Sequence, residues 1–264
     1  MLKPIIFSDI DGTFLDESYR NNFSEDFLLK TVSDFEIIFV SSRTADEIMF
    51  LQKSLGWHYD FIAENGGVIG LKHPSKKLLF PQIARNDYTL CLTGKKINDF
   101  KHGVAGIIRK FQQQIKIFND LEPTVAASIS SYDVLSALRA LNRLTTLLLK
   151  IDNPSSELLD CLTDRLKQDG LNLNYGGRWF SVSSGFNKGE AVKQYLDIID
   201  YKNHTYAVGN SDNDFELLAV CDFPFIINDH GYNKTLIEIP SAIKLAAIGT
   251  DGWQEMIEII RNKY

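Results

Sequence analysis

The chain has 264 residues, of which 44% are hydrophobic and 23% charged, and its formal net charge is −6. That apolar content suffices for one large core or two smaller ones, and an acidic chain with no basic stripe is not expected to bind nucleic acid. Cys91, Cys161 and Cys221 are widely spaced and odd in number, and the histidines are scattered, which argues against a disulfide framework or a zinc site and for buried cysteines in a reducing cytoplasm.

The first element is the apolar run Pro4-Ile5-Ile6-Phe7-Ser8, ended by Asp9. It reads as a buried parallel strand rather than a signal peptide or a membrane span, which needs about 20 apolar residues. Glu36 to Val40 is a second strand, followed by Ser41-Ser42-Arg43. Thr44-x-x-Glu47 predicts a capping box, with Ile48, Leu51 and Leu55 at helical spacing and Gly56 as the stop. Phe61 to Ala63 is a short strand leading into Glu64-Asn65-Gly66-Gly67. Val68 to Leu71 and Leu78 to Phe80 predict a hairpin with a polar tip between them.

From about Pro81 to Val182 helix-like stretches dominate, among them Ser155 to Gln168, and Arg178 to Val182 returns to a strand pattern. Lys188 to Leu196 predicts a helix and Thr205 to Val208 a strand that feeds Gly209-Asn210-Ser211-Asp212-Asn213-Asp214. A helix over Phe215 to Val220, a strand at Phe225 to Ile227 and a terminal helix over Trp253 to Ile260 follow. Alternation of strands and helices at both ends implies an α/β fold: a Rossmann-like parallel-sheet core from 1–82 and 183–264, with an α+β cap inserted at 83–182.

Ligands of open α/β sheets sit beyond the carboxyl ends of the strands. Here those ends carry Asp9-x-Asp11-Gly12-Thr13, Ser41-Ser42-Arg43 and the 209–214 cluster, so neighbouring strands would gather carboxylates, a hydroxyl and Lys188 in one crevice. Carboxylates alone repel phosphate, but with a hard cation that takes oxygen ligands they become a phosphate site.

These segments resemble, in order and spacing, the four signatures of the haloacid dehalogenase superfamily. The long insert is similar to the large C2 cap of its type IIB branch. Ser41-Ser42-Arg43-Thr44, Glu64-Asn65-Gly66-Gly67, Gly176-Gly177-Arg178-Trp179-Phe180, Asn187-Lys188-Gly189 and Asp251-Gly252-Trp253 most resemble mannosyl-3-phosphoglycerate phosphatases, and then sucrose-phosphate phosphatases. The resemblance implies Asp9 as nucleophile, Asp11 as general acid and base, and Lys188 with Ser41 on the transferring phosphoryl group. It further implies Ser42, Arg43, Asn65, Arg178 and Asn213 at the substrate, Mg2+ held by Asp9, Asp11, Asn210 and Asp214, and a phosphorylated small molecule as the partner. Arg143 corresponds to a further arginine of the family's cap. Trp253 is expected to pack the last helix.

One position departs from the pattern. The fourth signature ordinarily reads Gly-Asp-x-x-Asn-Asp, and here the first acid is Asn210. Loss of a charge beside the metal costs on the order of a few kcal/mol of affinity. Two rival readings therefore stand beside the phosphatase: a phosphosugar mutase of the same branch, and a sugar-phosphate binding protein on the same fold.

Overall fold

The computed structural model describes every residue except 1, 2, 17, 75–77, 110–114, 176–178, 230, 232 and 264. The first half contributes β1 (Ile5–Ser8), α1 (Glu25–Asp34), β2 (Glu36–Val40), α2 (Ala45–Ser54), β3 (Phe61–Ala63) and β4 (Val68–Leu71) to the fold. β5 (Gln82–Arg85) and β6 (Tyr88–Leu92) follow, then α3 (Ile97–Ile108), β7 (Ile115–Ile117), α4 (Pro123–Ser130) and α5 (Val134–Leu141). Next come β8 (Leu147–Ile151), α6 (Ser156–Gln168), β9 (Asn172–Tyr175), β10 (Phe180–Ser183), α7 (Lys188–Ile199) and β11 (Thr205–Gly209). The chain closes with α8 (Phe215–Val220), β12 (Phe223–Asn228), β13 (Ile243–Ile248) and α9 (Gly249–Lys263).

Nine strands form one sheet in the order β13-β12-β11-β1-β2-β3-β4-β6-β5, and β7-β8-β10-β9 form a second sheet. From β13 to β3 the large sheet is parallel. Its central strands are buried on both faces, as the continuous apolar runs predict. The chain leaves β1 toward β2 and β3 and returns on the other flank through β11, so β1 lies at the topological switch point where a crevice opens. Ile6, Phe39, Phe61, Val208 and Trp253 belong to the core on one face, and Phe7, Ile38, Val192, Tyr195 and Ile226 to the core on the other.

The predicted α/β architecture with an α+β insert is the one observed. The expected border near 82 falls inside the large sheet, because β5 and β6 continue it antiparallel beyond β4. The predicted hairpin is corrected with it. β4 pairs with β3 and β6, not with Leu78–Phe80. A strand buried along its whole length needs an apolar partner, which Leu90-Cys91-Leu92 supplies, whereas Leu79 is exposed. The residues at the expected hairpin tip lie partly outside the described ones. Cys161 is a second correction: it is exposed on α6, while Cys91 and Cys221 are buried. β13 is hidden from a pattern reading because its burial alternates while its residue types do not: Ala246 and Ile248 occupy exposed positions beside Lys244.

The antiparallel sheet packs with α3 and α6 around Leu147, Leu149, Leu162 and Val182, and α4 and α5 close on Phe118 with Ala126, Ala137 and Ala140. The two connections between the sheets run side by side, joined by the Lys95 amide donating to Ser184 Oγ at 2.8 Å. Thr44 Oγ1 of the large-sheet body donates to the Arg139 carbonyl at 2.9 Å, and Asn142 Nδ2 donates to Asp46 Oδ2 at 2.5 Å. These bonds seat the insert over the carboxyl ends of β1 and β2.

Candidate active site

Asp9 follows β1 directly, and its amide donates to the Val208 carbonyl at 3.0 Å, extending the β1–β11 ladder by one residue. Behind it, Trp253 Nε1 donates to Ser8 Oγ at 3.0 Å and Ser8 Oγ donates to the Asp9 carbonyl at 2.7 Å. Trp253 is fully buried against Phe14 and Phe23. Its expected packing role thus extends to fixing the backbone of Asp9.

Lys188 opens α7, where Asn187 caps the helix by accepting from the Glu190 amide. Its ammonium is buried and lies between two carboxylates, donating to Asp9 Oδ1 and to Asp214 Oδ1 at 2.6 Å each. Burial works against the charge on Lys188, but Asp214 and Asp9 outweigh it and raise the pKa above the ordinary lysine value. The Asp9 pKa also rises, which for a carboxylate disfavours the charged form. Burial first, and then the Asp214 charge, push its pKa up to about 7, with Lys188 pulling it back down.

Asp214 is saturated by protein groups. Beyond Lys188, its Oδ2 accepts from the amides of Asn210 and Ser211 at 3.0 and 3.1 Å and lies 3.2 Å from Ser211 Oγ. Its two oxygens thus divide their work, Oδ1 holding the Lys188 ammonium and Oδ2 shaping the 210–214 loop. Asn210 stands over Gly12, where a Cβ would come within 2.4 Å of Asn210 Nδ2 and where φ is +73°. The left-handed φ favours glycine, and a Cβ would have to push the Asn210 amide aside. Among the described residues, Asn210 Oδ1 has only a long 3.4 Å contact from Thr13 Oγ1.

A cavity of about 280 Å³ opens between the large sheet and the insert, with Asp9, Asp11 and Asn210 on one wall. Arg43 and Arg143 face it as cations, and Ser42, Asn65 and Asn213 also reach it. Arg43 forks onto Asp11, with Nη2 at 2.5 Å from Oδ1 and Nε at 3.0 Å from Oδ2, and lies 5.4 Å from the Tyr19 ring centroid. Burial of Arg43 opposes its charge, but the adjacent Asp11 more than offsets this and keeps the guanidinium firmly protonated. Asn65 has φ +57° and carries a buried Oδ1 with no partner among the described residues. Asn213 Oδ1 lies 2.6 Å from Ser211 Oγ.

Ser41 is fully buried at the end of β2, and its Oγ accepts from the Arg43 amide at 3.2 Å; it does not line the cavity. Arg178 lies outside the described residues. Sequence reading missed Tyr19, Tyr132 and Trp179, which line the cavity from distant segments. It read Glu47 only as half of a capping box, which it is, although it also faces the cavity. No group of three or more His, Cys, Asp and Glu side chains is set for a metal among the described residues. The wall formed by Asp9, Asp11 and Asn210 nevertheless offers oxygen donors alone, the chemistry a hard cation takes.

The arrangement can hold an anion against two arginines while presenting to it a carboxylate that Lys188 holds from behind. Comparison with known proteins gives the same direction. A family model described as haloacid dehalogenase-like hydrolase matches residues 6–233. A glucosyl-3-phosphoglycerate/mannosyl-3-phosphoglycerate phosphatase of Methanococcoides burtonii is 27% identical, over 97% of this chain and 96% of that protein. A mannosyl-3-phosphoglycerate phosphatase of Pyrococcus furiosus is 27% identical, over 91% of this chain and 98% of that protein. The solved structure of a subclass IIB sugar phosphatase superposes with a TM-score of 0.70 at 13% identity, over 98% of this chain and 99% of the other, a likeness of fold. With the matched region running from β1 almost to the start of β13, the chain belongs to the haloacid dehalogenase-like hydrolase family.

Proposed function

We propose that this protein is a magnesium-dependent phosphomonoester hydrolase that works through an aspartyl-phosphate on Asp9, and that its substrate is a glycosyl-3-phosphoglycerate. The observation that carries the reading is the placement of Asp9 on the wall of a cavity that also holds Arg43 and Arg143. One attacking carboxylate thus shares a space with two cations, one more than a neutral sugar phosphate requires. The relatives' names supply the matching chemistry, a phosphate ester with a carboxylate on its leaving group.

Asp9 Oδ2, the oxygen not held by Lys188, attacks phosphorus as the ester P–O bond breaks. Asp11 gives a proton to the departing oxygen, then takes one from the water that hydrolyses the aspartyl-phosphate, releasing inorganic phosphate and restoring Asp9. Lys188 stabilises the phosphoryl oxygens from below. Asp11 performs this work once Arg43 lets it go, and the anionic part of an incoming substrate is the competitor that would draw Arg43 away. Magnesium would be held by the Asp9 carboxylate, the Asp11 carbonyl and the Asn210 amide oxygen, and would supply the positive charge that lets a carboxylate meet a phosphate.

The test is phosphate release from mannosyl- and glucosyl-3-phosphoglycerate, sucrose phosphate, trehalose phosphate and hexose phosphates, with and without magnesium. Magnesium-dependent release from a glycosyl phosphoglycerate is expected. Release from hexose phosphates alone would remove the acidic substrate from the reading while keeping the reaction. Transfer of phosphate between sugar positions without release would identify a mutase.

Asn210 favours one second reading, a binding protein with weakened turnover, because the side chain over Gly12 carries no charge. Asn210→Asp decides it. The restored acid is expected to lower the magnesium concentration for half-maximal activity by roughly tenfold, an electrostatic gain of the order of 1–2 kcal/mol near the surface of a cavity. A variant that gains turnover where wild type has none would make the binding protein the correct reading.

A further inference from the structure

We propose that Glu64 and Thr146 are positioning residues that aim Arg143 into the cavity and thereby set a preference for phosphate esters whose leaving group bears a carboxylate. This rests on the acidic-substrate reading above and adds the device that enforces it.

Glu64 is fully buried at the carboxyl end of β3, in a left-handed backbone conformation at φ +54°. Its side chain crosses from the large-sheet body to the insert. Oε1 accepts from the Leu144 amide at 2.7 Å, and Oε2 accepts from the Thr145 and Thr146 amides at 2.9 and 2.8 Å. The hydroxyls of Thr145 and Thr146 add donors to Oε2 at 3.0 and 2.7 Å. No other carboxylate described gathers so many donors from one short loop, and that loop carries Arg143.

The direction of these bonds matters more than their number. The Thr146 hydroxyl has one proton, and Glu64 takes it. The hydroxyl lone pairs are then left for Arg143, whose Nη1 donates to Thr146 Oγ1 at 2.7 Å. Nη2 donates to the Ser42 carbonyl at 3.1 Å, on the loop that carries Arg43. Two edges of the guanidinium are thereby fixed. Nε is buried beside the cavity and has no partner among the described residues. A buried charged donor without an acceptor is costly unless a ligand supplies one, and a carboxylate is the group whose geometry a guanidinium fork accepts.

If Glu64 only fastened the loop, weakening it would harm every ligand alike. If it aims Arg143, the loss falls on acidic ligands. Two phosphate esters differing chiefly at that group, 3-phosphoglycerate and glycerol 3-phosphate, separate these cases. Their binding is read by calorimetry on the full chain with magnesium present, in an Asp9→Asn background so that no turnover is needed. The parent is expected to bind 3-phosphoglycerate at least about tenfold tighter than glycerol 3-phosphate, the scale of one charge-assisted hydrogen bond. Adding Thr146→Val is expected to reduce that ratio to about two or less, through the acid alone, and Thr146→Ser to restore it. Glu64→Gln is expected to act as Thr146→Val does and serves should the valine protein not fold.

A ratio unchanged by Thr146→Val and by Glu64→Gln would overturn the proposal and leave the acidic-substrate reading intact. A parallel loss for both esters would also overturn it, in favour of plain loop fastening. A parent with no preference for the acid would refute the acidic-substrate reading, and the proposal with it.

Discussion

Asp9→Asn is expected to slow phosphate release at least about a thousandfold while leaving the fold and its thermal stability nearly unchanged. The loss is large because the amide cannot attack phosphorus and no other carboxylate takes its place. Asp11 is committed to proton transfer, and Asp214 is engaged by Lys188 and the 210–214 loop. The fold is preserved for an electrostatic reason. Burial and Asp214 push the Asp9 pKa from 3.8 to about 7, so the folded state binds the proton more tightly than the unfolded chain does. The stability this proton contributes is present at acidic pH and is lost as pH rises through about 7, where Asp9 ionises in the fold. An asparagine imitates the protonated form and escapes that loss, so the variant should match or exceed wild-type stability at pH 8. Phosphate release under saturating substrate and thermal unfolding at the same pH check both halves. Wild-type rates in the variant would refute Asp9 as the nucleophile.

Lys188→Met is expected to abolish activity and also to destabilise the protein by roughly 3–5 kcal/mol at neutral pH, the cost of breaking a buried ion pair from one side. Methionine nearly matches the lysine stem in volume, so packing changes little. What changes is that Asp9 and Asp214, both within 2.6 Å of the ammonium in the native protein, lose their shared cation in a buried site. Protonation of Asp9 relieves part of the repulsion, so the loss should be smaller at pH 6 than at pH 8. Adding Asp214→Asn removes the second charge and should recover part of the stability but none of the activity. Urea denaturation midpoints of the single and double variants measure this coupling. A Lys188→Met protein as stable as wild type at pH 8 would mean that the pair of carboxylates does not depend on this lysine.

The two substitutions separate roles that a sequence motif presents as equivalent. Asp9 and Asp214 are both acids at strand ends, yet one faces the cavity and the other is enclosed by donors. That difference arises from the path of the 210–214 loop, in which Asp214 turns back to cap the amides of Asn210 and Ser211. Nothing local to Asp214 in the sequence shows this enclosure.

Much of this protein was legible in its residues because the signals are local. Runs such as Ile5–Phe7 and Ile37–Val40 suit strands buried on both faces, and the Thr44–Glu47 box announces a helix start whatever the rest of the chain does. Strand ends that carry Asp9, Asp11, Arg43 and the 209–214 cluster then locate the crevice, since parallel strands bring their carboxyl ends to one edge. The tertiary structure alone decided what depends on partners far apart in the chain. Only pairing could show that β6 rather than Leu78–Phe80 completes the sheet beside β4, because both stretches are apolar and only burial separates them. Only packing could bring Tyr132 and Trp179 of the insert over Asp9. The meaning of Glu64 was likewise hidden, since its turn-like surroundings suggest a surface acid, and its role exists only when residues 144–146, some eighty positions away, present their donors to it.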